Sequence, residues 1–350
     1  MENTFDFKKL VSPLLDWYAA NARVFPWREK VTPYRVWVSE IMLQQTRVEA
    51  VKPYFERFMT ALPTVQALAE CEEDTLLKLW EGLGYYNRVR NMQAAAQEIM
   101  TSYGSELPAD FEKLLSLKGI GRYTAGAIAS IAYGIPVPAV DGNVLRIIMR
   151  VTADDSDITK QSVRTEVDRQ LEAIIPAGQA GAFNQALMEL GAIVCLPNGE
   201  PLCEQCPWSF CCKARKQGIQ LQLPVKKKAA ARRLEDRTVL IIRDGDRIVL
   251  HKRPPRGLLA GMFEFPNLDG CLSRDEAIEA VQEMQLHPLH IQKLEDAKHI
   301  FSHVEWHMTG YMIRVDSLTR EESDLLFVEI EDARAHYPIP SAFAAYTRYI

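Results

Sequence analysis

Apolar residues recur at three- and four-residue spacing through 7–20, 34–51, 72–81, 89–100, 123–133, 143–151 and 180–195, with Pro and Gly between the runs. That is the period of helices with one buried face, and it predicts a first region, residues 1–215, that is nearly all helix. After residue 236 the pattern changes. Thr238–Ile242 and Arg247–Leu250 flank Asp244-Gly245-Asp246, which reads as a β-hairpin. Ser273 followed by Glu276 reads as a capping box that opens an amphipathic helix, and residues 299–315 return to strand-like alternation. The expected fold is multidomain: an all-α domain over 1–215, a basic interdomain linker over 216–236, and an α+β domain over 237–350.

Composition narrows the class. The chain of 350 residues is 47% hydrophobic, enough for a large buried core in more than one domain. No apolar stretch is long enough to span a bilayer and MENTFDFKKL has no signal-peptide core, so a cytoplasmic protein is expected. Net charge is −5, yet residues 213–237 carry nine Lys/Arg against Glu235 and Asp236, a local +7. Such a segment is either a solvated linker or one that follows a phosphate backbone.

All seven histidines lie beyond residue 250, so acid–base chemistry built in the helical region must use carboxylates, Lys, Tyr or Cys. Seven cysteines, an odd number with no export signal, point to metal binding and away from disulfides. Cys195, Cys203, Cys206 and Cys212 read C-x7-C-x2-C-x5-C. Four thiolates with no imidazole nearby suit a [4Fe-4S] cluster, with a four-cysteine zinc site as the alternative, and Cys211 competes with Cys212 for the fourth position.

Glu40 stands inside the apolar run Val36–Leu43, either turned outward or buried with the raised pKa a general acid needs. Gln44, Gln45 and Thr46 follow it as a polar patch that could meet base edges or solvent. Leu117-Lys-Gly-Ile-Gly-Arg-Tyr-Thr-Ala-Gly126 joins two helices through Gly119 and Gly121, leaving backbone N–H groups free for an anion. This is the grammar of a helix-hairpin-helix element holding a DNA phosphate, with a plain helix–helix turn as the bland reading. Asp141 in Asp141-Gly142-Asn143 reads first as a helix N-cap, which does not exclude catalysis. Leu83 and Tyr85 lie in a Gly-rich turn and either pack a core or wedge into a base stack.

Phe25-Pro-Trp-Arg28, Val38-Ser-Glu-Ile-Met-Leu-Gln-Gln-Thr46, Gly82-Leu-Gly-Tyr-Tyr86, Leu117–Ala125, Asp141-Gly-Asn143, Phe183-Asn-Gln-Ala186 and the cysteine array occur in one order across nearly the whole chain. With them the sequence resembles the MutY-type adenine DNA glycosylases of the endonuclease III-like helix-hairpin-helix superfamily. The resemblance implies a monomeric, base-excising enzyme that acts on adenine opposite 8-oxoguanine or guanine in duplex DNA. Glu40 matches the acid that protonates adenine N7, and Asp141 the carboxylate that stabilises the oxocarbenium sugar. Tyr123 and Asn143 match residues supporting that pair. Arg23, Trp27, Arg28 and Gln185 match the pocket for the flipped adenine, and Gln45, Thr46, Leu83 and Tyr85 the group that enters the duplex. Cys195, Cys203, Cys206 and Cys212 match the ligands of a [4Fe-4S] cluster. Phe301, Ser302 and His303 match the loop that recognises 8-oxoguanine, on a Nudix-like module. The stretch SRDEAIEAVQEMQL lacks the Glu-rich Nudix box, so that module is expected to bind and not hydrolyse. The chain departs from the family at its first cysteine gap, seven residues where six is usual.

Tyr123 occupies the point where bifunctional relatives carry a nucleophilic Lys, which implies a monofunctional enzyme. Three other readings compete: a glycosylase for oxidised pyrimidines, a non-catalytic DNA-binding redox sensor, and a Nudix hydrolase.

Overall fold

The computed structural model describes residues 5–227, 231–318 and 325–350. They divide into two units: the described residues of Met1–Glu70 and Arg90–Lys228, and those of Cys71–Val89 and Ala229–Ile350. This differs from the boundaries drawn on the sequence at two places. Residues 71–89 pack with the C-terminal unit, and the basic segment as far as residue 227 belongs with the helical one. Lys228, the centre of that basic segment, lies outside the described residues.

The first unit is helical throughout its described residues. Its core joins Leu10 and Leu14 to Val144, Ile148, Phe183 and Leu187, so the N-terminal helix Val11–Asn21 packs with Gly142–Thr152 and Ala180–Glu189. Trp208, from the cysteine loop, is buried in the same core and donates its indole N–H to the Leu10 carbonyl at 3.0 Å. The apolar run 34–51 predicted one helix, but two form, Pro33–Leu43 and Val48–Ala61. Gln45 between them has φ 62°, a left-handed conformation that no right-handed helix can carry. Gln161–Glu172 was not legible as a helix because it buries only Val167, Asp168 and Leu171, too few to mark a period. No described helix is long and apolar enough to cross a membrane.

The second unit is built on a sheet whose strands are β1 (Arg233–Asp244), β2 (Arg247–Lys252), β3 (Phe263–Glu264), β4 (Asn267–Asp269), β5 (Pro288–Lys293), β6 (Ala297–Ile300), β7 (Val304–Val315) and β8 (Leu325–Glu329). The path runs β3-β2-β1-β7-β5, with β4 on β1, β6 on β7 and β8 on β2. β1 and β2 form the expected hairpin, Asp244 opposite Arg247. β1 pairs with β7 in parallel over Arg233–Arg243, which the sequence did not disclose because the partners are so far apart. The centre of β1 is apolar on both faces. Val239 and Ile241 meet Trp306, Phe343 and Tyr346, while Leu240 and Ile242 meet Ala277, Val281 and Ile313. The capping box at Ser273 and Glu276 is formed and opens helix Arg274–Glu283. The alternation over 299–315 is interrupted at Phe301, whose N–H bonds the Val304 carbonyl at 2.8 Å and turns β6 into β7.

Segment 71–89 is tied into this unit by polar contacts. Glu81 accepts from the Ile339 N–H at 2.8 Å, Lys78 donates to the Tyr337 carbonyl at 3.1 Å, and Lys252 pairs with Asp74 at 3.0 Å. Its helix Glu73–Leu79 is therefore held by the β unit, although its sequence reads like the rest of the helical region.

Candidate active site

Helix Pro33–Leu43 starts with Thr32 as N-cap, its hydroxyl accepting from the Arg35 N–H at 3.2 Å, and with Pro33 in the first turn. Tyr34 and Val36–Met42 are all buried, so the helix has no solvent face on which Glu40 could stand. Glu40 is accordingly drawn inside, 6% exposed. Opposite it is the helix Arg122–Tyr133, which opens at the hairpin Leu117–Gly121. Gly119 has φ 79°, and a Cβ there would stand 2.6 Å from the Asn91 Cβ, so only glycine makes this turn. From the second residue of that helix, the Tyr123 hydroxyl donates to Glu40 Oε2 at 2.5 Å.

Asp141 is the N-cap of helix Gly142–Thr152. Its Oδ1 accepts from the Val144 N–H and its Oδ2 from the Asn143 side-chain amide, both at 2.7 Å. Asn143 is held in turn by Arg146, whose Nη2 donates to Asn143 Oδ1 at 2.9 Å. The N-cap reading of Asp141 is right, and the same bonds orient the carboxylate.

The two carboxyl groups sit in different surroundings. Burial pushes the Glu40 pKa from 4.5 up to about 7; the Asp141 charge adds to the rise, while the Tyr123 hydrogen bond and Arg28 oppose it. Burial also raises Asp141, but its bonds from Val144 and Asn143 favour the anion and oppose that rise. Burial, with the two carboxylates nearby, drives the Tyr123 phenol well above its ordinary value, so it stays a donor. One carboxyl can thus carry a proton near neutrality beside another equipped to remain ionised, the arrangement that separates an acid from an anionic stabiliser.

Glu40, Asp141, Tyr123, Asn143, Trp27 and Gln185 line one cavity of about 960 Å³, within the size range of small-ligand sites. Trp27 forms a flat wall, stacked on Phe25 with ring centroids 4.9 Å apart and planes 18° from parallel. Arg23 and Arg28, also lining residues, both bind Glu189, at 2.7 and 2.6 Å. Gln185 accepts from the Tyr18 hydroxyl at 3.3 Å and donates to the Gly181 carbonyl at 3.3 Å. Gln45 and Thr46 reach the same cavity from the turn that breaks the apolar run. Buried donors, acceptors and an aromatic plane around a carboxyl pair suit a flat heterocycle attached to a group that becomes cationic.

Residues 38–173 match the HhH-GPD superfamily base excision DNA repair protein family, and residues 238–348 match the NUDIX domain. The chain is 33% identical over 303 residues to the adenine DNA glycosylase of Buchnera aphidicola subsp. Schizaphis graminum, covering 86% of each chain. The chain belongs to the adenine DNA glycosylase family. It is also 34% identical over 366 residues to the Homo sapiens adenine DNA glycosylase, covering 87% of this chain and 67% of that one. Among solved structures, a thermostable thymine-DNA glycosylase superposes with TM-score 0.55 at 27% identity, over 60% of this chain and 96% of that one. The fold is thus a helical helix-hairpin-helix glycosylase domain followed by a Nudix-like domain.

The resemblance to adenine DNA glycosylases gathered residues that the structure distributes between both units. Within the second, the Tyr85 hydroxyl lies 3.3 Å from the Ser302 hydroxyl, joining the Gly-rich turn to the Phe301–His303 loop across 217 residues of sequence. Tyr85 is 49% exposed with φ 50°, and Ser302 and His303 are exposed. Phe301 packs between His299 and Trp306, with centroids at 4.6 and 4.9 Å. Leu83 differs from the expected wedge. It is buried, 5% exposed, and fills the core of its unit, so Tyr85 is the side chain of that pair that faces outward.

Cys195, Cys203, Cys206 and Cys212 line a second, smaller cavity, while Cys211 is buried apart from it with its thiol on the Trp208 carbonyl at 3.5 Å. That settles Cys212 over Cys211 as the fourth lining thiol. No group of three or more Cys, His, Asp or Glu among the described residues converges on a single ion position. Four soft sulfur donors lining one space fit a group held by thiolates, an iron–sulfur cluster among them. Burial, with the neighbouring thiols adding to it, pushes the Cys206 thiol up to about 12. Cys195 is set by a π-helical turn, Leu190–Val194, through its N–H to the Leu190 carbonyl at 2.8 Å.

Sequence reasoning missed Glu189, Arg146 and Arg150. Glu189 is 1% exposed and carries both pocket arginines. The signal was present, since it is a lone carboxylate in an apolar helical run, as Glu40 is. Arg146 and Arg150 are themselves buried, one turn apart on the helix Gly142–Thr152. Arg150 donates to Cys195 Sγ at 3.3 Å, and Arg146 to the Cys195 carbonyl at 2.9 Å.

Proposed function

We propose that this member of the adenine DNA glycosylase family hydrolyses the N-glycosidic bond of adenine mispaired with 8-oxoguanine or guanine in duplex DNA, as a monofunctional, monomeric base-excision enzyme. The observation that carries the reading is the buried Glu40–Tyr123 pair beside the capped Asp141 in one cavity. Glu40, with its pKa near 7, delivers its proton to adenine N7, which makes the base a competent leaving group. The C1′–N9 bond then breaks with its electron pair leaving on adenine, and the Asp141 carboxylate stabilises the oxocarbenium sugar. Water adds to C1′ and returns its proton to Glu40. The logic is that of paired-carboxylate glycoside hydrolysis. Trp27 offers a stacking plane to the flipped base, and Gln185, Arg23 and Arg28 offer polar contacts to its edge. Tyr123, whose hydroxyl stays protonated, supplies no amine for a Schiff base.

Cys195, Cys203, Cys206 and Cys212 would hold a [4Fe-4S] cluster, which when bound supplies iron–thiolate bonds that cross-link residues 195–212. Gly119 and Gly121 present backbone N–H groups to a DNA phosphate. Tyr85 enters the duplex beside the opposing base, and Phe301, Ser302 and His303 recognise 8-oxoguanine from the Nudix-like domain. Filling the vacated stack offsets part of the few kcal/mol that base flipping costs.

The test is single-turnover base release on duplexes holding adenine opposite 8-oxoguanine, guanine or thymine, and thymine glycol opposite adenine. Adenine loss from the first two only, with strand breaks appearing only after alkali, is expected. Cleavage of thymine glycol without alkali would place the protein among the lyases instead.

A further inference from the structure

The segment that reads as a linker is fixed along its first part. Arg150 Nε donates to the Leu223 carbonyl at 2.9 Å, and the Ile158 N–H to the Val225 carbonyl at 3.1 Å. Leu223 is buried. These bonds come from the helix of the catalytic cap and from the loop after it, so residues 223–225, and with them the adjoining Lys226, are positioned by the same framework as Asp141.

This placement brings Lys226 to the cavity that holds Glu40 and Asp141. Arg164 and Arg47 line the same cavity from two other segments, and Arg164 is steered by its Nε bond to the Ile158 carbonyl at 3.1 Å. The peptide of Ile158 therefore orients both cations, its N–H through Val225 and its carbonyl through Arg164. Lys226 and Arg47 are exposed and Arg164 half-buried, as residues at a mouth are. The deeper pocket arginines, Arg23 and Arg28, share the single Glu189 carboxylate, so two cations face one anion there, and Lys226, Arg164 and Arg47 add further positive charge at the rim. A nucleotide whose base enters this cavity must leave its two flanking phosphates outside, at that rim.

We propose that Lys226 and Arg164 form a phosphate clamp for the strand that carries the excised base, and that the docked segment 223–226 is part of the DNA-binding face and not a linker. This rests on the glycosylase reading above. A phosphate contact adds affinity that falls with salt, about 0.9 in the slope of log K against log salt.

The experiment uses the full chain with Glu40→Gln to stop turnover, and fluorescence anisotropy with a duplex holding adenine opposite 8-oxoguanine, from 50 to 200 mM KCl. Lys226→Ala and Arg164→Ala are each expected to reduce the slope by about 0.9, so each loses affinity about 3.5-fold less than the parent over that salt range. Lys226→Arg is expected to keep the parent slope, which a merely structural role for Lys226 would not require. An unchanged slope in Lys226→Ala, with the parent binding normally and the otherwise unaltered protein releasing adenine, overturns the clamp alone. No adenine release from any duplex overturns the glycosylase reading and the clamp with it.

Discussion

Replacing Glu40 by Gln separates the electrostatics of the site from its packing, because the two side chains have nearly the same shape. The native carboxyl titrates near 7, against 4.5 for the same group in water. At about 1.4 kcal/mol per unit, that difference is worth about 3 kcal/mol of stability across the titration. The sign follows from where the proton resides. Between pH 4.5 and 7 the unfolded chain has lost this proton while the folded one keeps it, so stability falls as pH rises through that window and is level above it. Gln cannot titrate. Glu40→Gln should therefore gain on the native protein by about 3 kcal/mol as pH goes from about 4 to about 8. Hydrogen exchange of the amides in Pro33–Leu43 reads this locally, without requiring the two units to unfold together. The same substitution should abolish adenine release while leaving DNA binding intact, and in the native protein the single-turnover rate should fall tenfold per unit above about pH 7. A stability difference that is flat over this pH range would refute the reasoning. The carboxyl would then titrate at its ordinary value and could not act as a neutral-pH acid.

Asp141→Asn keeps an acceptor for the Val144 N–H but sets its amide against the Asn143 amide, so a melting curve should show a loss of about 1 to 2 kcal/mol while base release falls by a factor of about 100 or more. Tyr123→Phe removes the donor that opposes the rise of the Glu40 pKa, so the alkaline limb of the pH–rate profile should move up by about one unit; no alkali-independent strand scission should appear. Gly119→Ala meets both a left-handed backbone and the Asn91 Cβ at 2.6 Å, and should cost about 2 kcal/mol in denaturant titrations. Its affinity should drop alike for mismatched and matched duplexes, as expected of a contact that positions the backbone without reading bases.

Much of this protein could be read before folding. The hairpin at Gly245, the capping box at Ser273 and the helix after Gly121 are local, set by neighbours within four or five residues, and appear where the sequence puts them, whereas the run 34–51 splits into two helices at Gln45. The absence of histidine before residue 250 restricted the helical chemistry to carboxylates and Tyr, and the motif order identified the family. Glu40 could be found as a carboxylate out of place in an apolar run. Its pKa could not, because the shift comes from burial against another helix and from the charge of Asp141, a hundred residues away. Leu83 and Tyr85 look equivalent in sequence, and only packing buries one and exposes the other.

The long-range decisions share one cause. Parallel pairing of β1 with β7, the transfer of residues 71–89 to the C-terminal unit, the meeting of Tyr85 with Ser302 and the docking of Leu223 and Val225 all join segments far apart in the chain. No local propensity encodes such contacts; they form only when the whole core has closed and leftover donors find the nearest acceptors. The sequence alone therefore determined the element types, the chemistry available and the family. Tertiary structure decided which carboxyl keeps its proton, which thiol joins the other three, and which cations stand at the mouth of the site.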